Sequence, residues 1–265
     1  MFQSVPKLLT KVKRRIQFTN QPKRILFIVG FWRSGTTLMT NVFGQSPDIR
    51  SFHEHSKRAH DELYRIRSNE ELKALIDKII EPWIVFKPLN DAHRIKDLMQ
   101  IHKNTKAVWV YRHYLDVINS GQEMWPGHWK TIIESLMNND RSRDIDDAIA
   151  DSISDESLAV LARFWDKEIT DNDGAALLWY MRNQFFFEND LQANPDILLC
   201  RYEEFVTDPN HEFQRIFDFF ECPYSPKYAA QVHTSSIRKN APPILHPEIE
   251  ALCSELLARF DATRS

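Results

Sequence analysis

The chain has 265 residues, of which 43% are hydrophobic and 27% are charged, a composition typical of a folded globular protein. The formal net charge of −3 gives no electrostatic support for general binding to nucleic acid. No apolar run approaches the ~20 residues that span a bilayer, so no integral membrane segment is predicted.

The termini and the cysteines set the expected boundaries and compartment. Residues 1–20 form a basic stretch with no apolar run after it, which predicts an N-terminal arm and not a signal peptide. Residues 21–265 are predicted to form a single domain. The three cysteines, Cys200, Cys222 and Cys253, fit neither a zinc site nor a disulfide pattern. We therefore expect a reducing, cytoplasmic compartment and no metal requirement.

Apolar runs and their spacing predict alternating strands and helices. The run 24–30 is hydrophobic throughout, which is typical of a strand buried on both faces. From Thr36 the apolar spacing becomes i, i+4, which predicts a helix closed by a left-handed cap at Gly44. Asp208 is placed to cap another amphipathic helix. Further strands are predicted over 49–53, 82–89, 106–113 and 196–205, and further helices over 91–101 and 115–124.

This alternation predicts an α/β fold with a central parallel sheet flanked by helices. Residues 125–180 break the rhythm and are predicted to be a helical, partly acidic insertion. Its acidic part, 140–156, is either a solvated face or a surface that receives a cationic substrate. Four tryptophans either line an acceptor pocket here or belong to the core. They are Trp125, Trp129, Trp165 and Trp179.

The turn after the first strand has the outline of a phosphate-binding loop. Gly30 and Gly35 are five residues apart, as in the nucleotide loop G-x-x-x-x-G-K-[ST]. Glycines let successive backbone N–H groups point inward, and a following helix N-terminus adds partial positive charge. Thr36 stands where a nucleotide loop has its lysine, and Arg33 supplies the positive charge from inside the loop. The sequence predicts an anion site that differs from an ATP site.

The stretch GFWRSGTTL resembles the 5'-phosphosulfate loop of sulfotransferases that use 3'-phosphoadenosine 5'-phosphosulfate (PAPS). The surrounding region is most similar to the tyrosylprotein and bacterial branches of that family. Trp32 stands where the family usually has proline, and Leu38 stands where its cytosolic branch has a tryptophan that contacts adenine. The resemblance implies that the sulfuryl donor is bound by residues 33–38. The matching residues are Arg33, Ser34, Gly35, Thr36 and Thr37.

A second anion contact is predicted at the end of another strand. Arg112 ends the run KAVWVYR, and Ser120 follows eight residues later on a predicted helix. Ligands of open α/β sheets bind at the carboxyl ends of strands. The pair resembles the 3'-phosphate site of the PAPS-dependent family. Two separate phosphate sites favour PAPS over ATP, which has no 3'-phosphate.

Two later segments extend the resemblance. Tyr202, in RYEEFVTDP, is similar to a family tyrosine that contacts the cofactor, and it is otherwise a residue of the core. The segment SSIRKN is similar to a basic segment that closes over the 3'-phosphate, although Asn240 replaces the glycine of the cytosolic branch. Its candidate residues are Ser236, Arg238 and Lys239.

Positive charge at the reacting centre has two candidate sources. Lys87 lies near the end of an apolar strand, where a lysine is costly unless it faces a polar crevice or an anion. The resemblance implies a catalytic role for Lys87, and Arg33 is suited to stabilise charge on the leaving nucleotide.

The general base has several candidates. The histidine that follows the lysine in cytosolic sulfotransferases is Leu89 here. The layout after the first helix is similar to that of tyrosylprotein sulfotransferases, and it implies Glu54 as the base. His53, His55 and His93 are the alternatives. If the strand continues through this region, His53 and His55 face away from Glu54.

The resemblance implies a sulfotransferase that moves the sulfuryl group of PAPS to a hydroxyl or amine by in-line displacement, leaving adenosine 3',5'-bisphosphate (PAP). The acceptor is a small molecule, a saccharide or a peptide tyrosine, and the oligomeric state is open. Two alternatives remain: a non-catalytic PAP- or PAPS-binding protein of the same fold, and a P-loop kinase or NTPase, against which the missing lysine counts.

Overall fold

Five parallel strands form the centre of the computed structural model, which describes residues 17–18, 21–138, 153–164 and 167–264. In chain order the strands are β1 (Arg24–Gly30), β2 (Ile49–Phe52), β3 (Trp83–Phe86), β4 (Thr105–Tyr111) and β5 (Ile197–Arg201). Their spatial order is β2-β3-β1-β4-β5, and all four pairings are parallel. The predicted α/β sheet is confirmed.

The central strand β1 is buried on both faces, as its apolar run predicts. Ile25, Phe27 and Val29 belong to one hydrophobic cluster, whereas Leu26 and Ile28 belong to a second cluster on the opposite face. Because side chains alternate along a strand, a continuous hydrophobic run is required where helices cover both faces. Because β1 pairs in parallel with both β3 and β4, the carboxyl ends of these three strands lie at one edge of the sheet.

Ten α-helices are described, and they cover both faces of the sheet. In chain order they are α1 (Thr36–Gly44), α2 (Asn69–Asp77), α3 (Ile95–Met99), α4 (Tyr114–Met124), α5 (Trp129–Met137), α6 (Asp155–Ala162), α7 (Asp171–Glu188), α8 (Tyr202–Thr207), α9 (Pro209–Phe219) and α10 (Pro247–Thr263). Asp208 caps α9 by accepting a hydrogen bond from the His211 N–H, as predicted. No helix of the described ranges is both long and apolar enough to cross a membrane.

Several predicted boundaries are wrong at the ends of elements. Gly44 does not provide a left-handed cap, because α1 ends on Gln45 with a right-handed φ of −72°. The strand predicted over 196–205 ends at Arg201, and Tyr202 already begins α8. The helix predicted over 91–101 is split into a 3₁₀ turn, Ala92–Arg94, and the short α3. Hydrophobic runs continue past strand ends because these ends are still buried.

The predicted insertion is helical where it is described, but it is not peripheral. Helix α7 is buried on nearly all sides and packs against α4, α5 and α10. Trp129 and Trp179 are core residues with 1% and 0% exposure, whereas Trp125 is 40% exposed. Trp165, nearly all of the predicted arm 1–20 and most of the acidic part 140–156 lie outside the described residues.

Candidate active site

The loop between β1 and α1 is tightly curled because two of its residues must be glycine. Gly30 has a φ of 154°, and a Cβ there would lie 2.3 Å from the Val110 carbonyl oxygen. Gly35 has a φ of 96°, and a Cβ there would lie 2.3 Å from Tyr202 Cδ2. Arg33 also adopts a positive φ, of 64°. The loop is thus pressed against β4 and α8, and only glycine permits that approach.

The curled loop presents the N-terminus of α1 to a pocket. No side chain caps that helix at Gly35, while Thr36, Thr37 and Leu38 line the pocket wall. The Ser34 side chain is fully buried below the loop, and its Oγ has no hydrogen-bond partner among the described residues. Free helix N–H groups and the helix dipole favour an anion here.

Lys87, directly after β3, joins the first turn of α1 to the candidate base. Its side chain is almost fully buried, and its Nζ donates to Thr37 Oγ1 at 2.5 Å and to Glu54 Oε1 at 2.8 Å. Burial lowers the pKa of the Lys87 ammonium, and the charge of Arg33 adds to this effect. A buried lysine with these partners is an ion-paired group facing a polar crevice, as its position in the sequence predicts.

Glu54 has one oxygen engaged and one free. Burial acts to raise the pKa of Glu54, but the hydrogen bond and charge of Lys87 outweigh it and hold that pKa below its usual value. The second oxygen, Oε2, is buried and has no hydrogen-bond partner among the described residues. Glu54 lines the pocket, which places its ionised carboxylate at the pocket wall.

The three alternative histidines occupy different places. Because β2 ends at Phe52, the expected strand alternation stops, and His55 does not face away: its Nε2 lies 3.8 Å from Glu54 Oε1. His55 also lines the pocket. His53 is half-buried, and burial lowers the pKa of its ring. His93 lies at a separate cavity, against Phe185.

Two guanidinium groups lie together at the other side of the loop. Arg33 Nε donates to Ser120 Oγ at 2.9 Å, and Arg112 Nη1 donates to the Arg33 carbonyl at 3.0 Å. Burial lowers the pKa of Arg33, and the charge of Arg112 lowers it further. The buried Arg112 Nε has no partner among the described residues. Two neighbouring like charges favour the binding of an anion between them.

Tyr202 and Ser236 complete the surroundings of Arg112. The guanidinium carbon of Arg112 lies 4.4 Å from the centre of the Tyr202 ring, and its Nη2 donates to the Ser236 carbonyl at 2.6 Å. The Tyr202 hydroxyl hydrogen-bonds to Ser236 Oγ. From behind, the Trp179 indole N–H donates to the Arg112 carbonyl at 3.1 Å, a contact that sequence reasoning missed.

Arg238 and Lys239 do not line the pocket. The Arg238 backbone N–H donates to the Asp116 carboxylate, and Lys239 Nζ donates to Glu123 Oε1 at 2.9 Å. Both side chains are exposed. The segment that carries them is anchored along α4, next to Ser236, so the predicted contact of these two residues with a 3'-phosphate remains a prediction.

Together these groups surround a pocket of about 640 Å³. Its second half is largely apolar, and sequence reasoning missed most of its residues apart from Trp125 and Trp129, which both line the pocket. Asn90 accepts a hydrogen bond from Trp32 Nε1 at 3.1 Å, and its position shortly after Lys87 was the available signal. The other residues of this half include Tyr64, Leu89, Met124 and His128.

The described residues contain neither a group of metal ligands nor a reactive thiol. Over residues 17–18, 21–138, 153–164 and 167–264, no group of three or more His, Cys, Asp or Glu side chains is arranged to hold a metal ion. Cys200, Cys222 and Cys253 are buried free thiols, and burial raises the pKa of Cys200 and of Cys222 to about 12. Such thiols are packing groups and not nucleophiles.

Known proteins with the same fold are sulfotransferase domains. A domain of a Synechococcus PCC 7002 olefin synthase is 14% identical, with a TM-score of 0.56 over 89% of this chain and 95% of that one. A sulfotransferase from Alicyclobacillus acidocaldarius is 16% identical, with a TM-score of 0.52 over 92% and 96%. A domain from the curacin biosynthetic pathway is 16% identical, with a TM-score of 0.51 over 90% and 99%. A search of curated protein sequences gave no significant match.

The family model of the sulfotransferase domain matches residues 23–241. This range contains the loop after β1, the Lys87–Glu54 pair and the Arg112 site. The chain therefore belongs to the sulfotransferase domain family and is a transferase of that kind.

Proposed function

We propose that this chain transfers the sulfuryl group of PAPS to a hydroxyl group of an acceptor bound in the pocket. An amine is the alternative acceptor group. The observation that carries the proposal is Lys87, which links Glu54 to Thr37 in the first turn of α1, directly after the anion loop (residues 30–35). This contact puts a positive charge and a carboxylate side by side where the two halves of the pocket meet. PAPS supplies the activated sulfuryl group in this reaction.

The polar half of the pocket fits a carrier with two anionic groups. The loop and the N-terminus of α1 suit a 5'-phosphosulfate, whereas Arg112 and Ser120 suit a 3'-phosphate. The free N-terminus of α1 supports an anion at the first place, and the buried Arg112 Nε, which has no partner among the described residues, supports one at the second. The Tyr202 ring, which already contacts Arg112, borders the same site.

Glu54 is proposed as the general base. Its depressed pKa keeps it ionised at neutral pH, and its carboxylate at the pocket wall is proposed to accept a proton from the acceptor hydroxyl. Hydrogen bonding to Lys87 holds Oε1 and so orients the carboxylate. The deprotonated acceptor oxygen then forms the new S–O bond while the bond to the nucleotide phosphate breaks.

Lys87 and Arg33 are proposed to stabilise the negative charge that grows on the leaving phosphate oxygen. Both are held by protein hydrogen bonds before reaction, Lys87 by Thr37 and Glu54 and Arg33 by Ser120. Groups positioned in advance need no reorganisation during the reaction, and this is the usual source of electrostatic catalysis. Removing one such group typically costs about 10²–10³-fold in turnover.

The test compares PAP with ATP and then asks for turnover. PAP at about 100 times its dissociation constant should stabilise the protein by ~2.7 kcal/mol in thermal unfolding, and ATP should give a much smaller shift. A panel of hydroxylated acceptors with radiolabelled PAPS should then yield a sulfated product. Equal shifts with PAP and ATP would contradict the choice of carrier, whereas PAP binding without any turnover would favour the non-catalytic alternative.

A cytoplasmic location is proposed on the chemistry of the thiols. All three cysteines remain free and buried, which suits a reducing compartment. Fractionation of the host cell with an antibody to the chain tests this directly, and recovery from an oxidising compartment would contradict it.

A further inference from the structure

The apolar half of the pocket contains an unusual share of the exposed hydrophobic side chains. Among the described residues, five large hydrophobic side chains are exposed, and three of them line this pocket: Tyr64 at 43%, Met124 at 50% and Trp125 at 40%. Clusters of exposed apolar surface in a concave site mark where a ligand binds. Here the cluster lines the same pocket as Glu54, the base of the proposed function.

Trp32 is the central ring of this wall. Its ring lies 6.3 Å from Trp125 and 5.8 Å from Trp129, and Trp125 lies 5.6 Å from Trp129, in tilted or edge-on arrangements. Trp32 belongs to the anion loop itself, directly before Arg33. It therefore connects the place where the carrier binds with the place where the acceptor binds.

Hydrogen bonds fix the Trp32 ring and engage the Asn90 amide beside it. Trp32 Nε1 donates to Asn90 Oδ1 at 3.1 Å, and Asn90 Nδ2 donates to the Leu63 carbonyl at 3.1 Å. Both the indole N–H and the amide are thus already paired. What Trp32 offers a ligand is an apolar ring surface in a fixed orientation.

The permanent charges on the pocket lining lie in the polar half. Within the described residues, the Asp, Glu, Lys and Arg side chains that line the pocket are Arg33, Glu54, Lys87 and Arg112, and each belongs to the loop between β1 and α1, the Lys87–Glu54 pair or the Arg112 site. Two imidazole rings, His55 and His128, also line the pocket. A buried saccharide would need partners for several hydroxyl groups, and an unpaired buried hydroxyl is costly. The apolar half suits a flat ring that carries a single hydroxyl.

We propose that Trp32, held by Asn90, determines acceptor specificity by selecting a hydroxyl carried on a flat, uncharged, apolar ring system over a saccharide. This inference rests on the proposed function and extends it to the class of acceptor. It predicts that an aromatic alcohol binds the PAP-loaded protein in contact with Trp32, with its hydroxyl toward Glu54.

The test measures binding without turnover. The PAP-loaded protein is titrated by calorimetry with 2-naphthol and, separately, with the disaccharide chitobiose. We expect 2-naphthol to bind and chitobiose to give no detectable heat of binding. Trp32→Ala should weaken 2-naphthol binding by about tenfold or more, and Trp32→Phe should keep it within about threefold, since a flat ring remains. Leu158→Ala, which alters a 43% exposed side chain outside the pocket, is the matched control and should change nothing.

Two results would overturn the inference: tighter binding of chitobiose than of 2-naphthol, or unchanged 2-naphthol affinity in Trp32→Ala. If Trp32→Ala does not fold, Trp125→Ala removes a 40% exposed ring from the same wall and must weaken 2-naphthol binding instead. PAP titrations of the same samples distinguish a failure of the proposed function from a failure of the proposed acceptor class. Loss of PAP binding counts against the proposed function, whereas loss of 2-naphthol binding to PAP-loaded protein counts against the acceptor class.

Discussion

Replacing Glu54 by glutamine removes the proposed base while it preserves the shape of the side chain. The amide oxygen can still accept the Lys87 hydrogen bond that Oε1 accepts at 2.8 Å, so Lys87 should stay in place. The group at the position of Oε2 becomes an amide N–H₂, which cannot take a proton from an acceptor. Loss of a general base typically lowers turnover by about 10²–10⁴-fold, and we expect a fall in that range.

The same substitution leaves a charged lysine with a neutral partner. Lys87 is 1% exposed, so water cannot solvate its ammonium in place of the lost carboxylate charge. Removing one member of a buried ion pair costs about 3–5 kcal/mol, and the retained hydrogen bond should reduce this to about 1–3 kcal/mol of unfolding free energy. Glu62→Gln is the matched control, because Glu62 is 87% exposed and pairs with Lys57 away from the pocket.

The assay is the initial rate of sulfate transfer from radiolabelled PAPS to the best acceptor of the panel, as a function of pH. An ionised Glu54 with a depressed pKa places the acid limb of the unmodified protein below pH 4.5. PAP affinity, measured by calorimetry, should be nearly unchanged in Glu54→Gln. Retained turnover in Glu54→Gln would refute the reasoning and give the role of base to a histidine.

Three further outcomes follow from the loop, the second anion site and a buried histidine. Gly35→Ala should abolish PAP binding and lower the melting temperature, because φ is 96° there and the new Cβ would lie 2.3 Å from Tyr202 Cδ2; normal PAP affinity in calorimetry would contradict this. Arg112→Lys should weaken PAP about tenfold or more, because an ammonium cannot keep both carbonyl bonds and also bind a phosphate, and an unchanged PAP titration would show that Arg112 is structural. Burial lowers the pKa of the His60 ring below 6.5. The unfolded chain therefore binds more protons between the two pKa values, so the contribution of His60 to stability is full above pH 6.5 and is lost as pH falls through the folded pKa. Denaturant titrations across this range should show the slope, and His60→Gln should reduce it.

His60 also shows how a buried polar group supports the site. It has no solvent exposure, and its Nε2 lies 3.1 Å from the Lys87 carbonyl oxygen, at the end of β3. Glutamine places an amide nitrogen near the same position, so that variant should retain the backbone contact while it loses the titration. A variant that keeps its pH slope would show that other histidines account for it.

Local backbone demands made the anion loop predictable. Each of Gly30 and Gly35 has a positive φ and lies too close to a neighbouring residue for a Cβ atom to fit. Both requirements select glycine, so they can be read from the sequence. The apolar run of β1 likewise records burial on two faces. Predicted boundaries were less accurate, as at β5, because a hydrophobic run does not show where the hydrogen bonds of a sheet stop.

By itself, the sequence determined the order of strands and helices, the phosphate-type loop, and the placement of Lys87 and Arg112 at strand ends. Only the tertiary structure decided which side chains meet there. Arg33 contacts Ser120 across 87 positions, and Lys87 contacts Glu54 across 33, because parallel pairing aligns the ends of β1, β3 and β4 at one edge. Which tryptophans face the pocket depends on helix packing angles, and hydrophobic spacing cannot specify those angles because core and pocket faces are equally apolar.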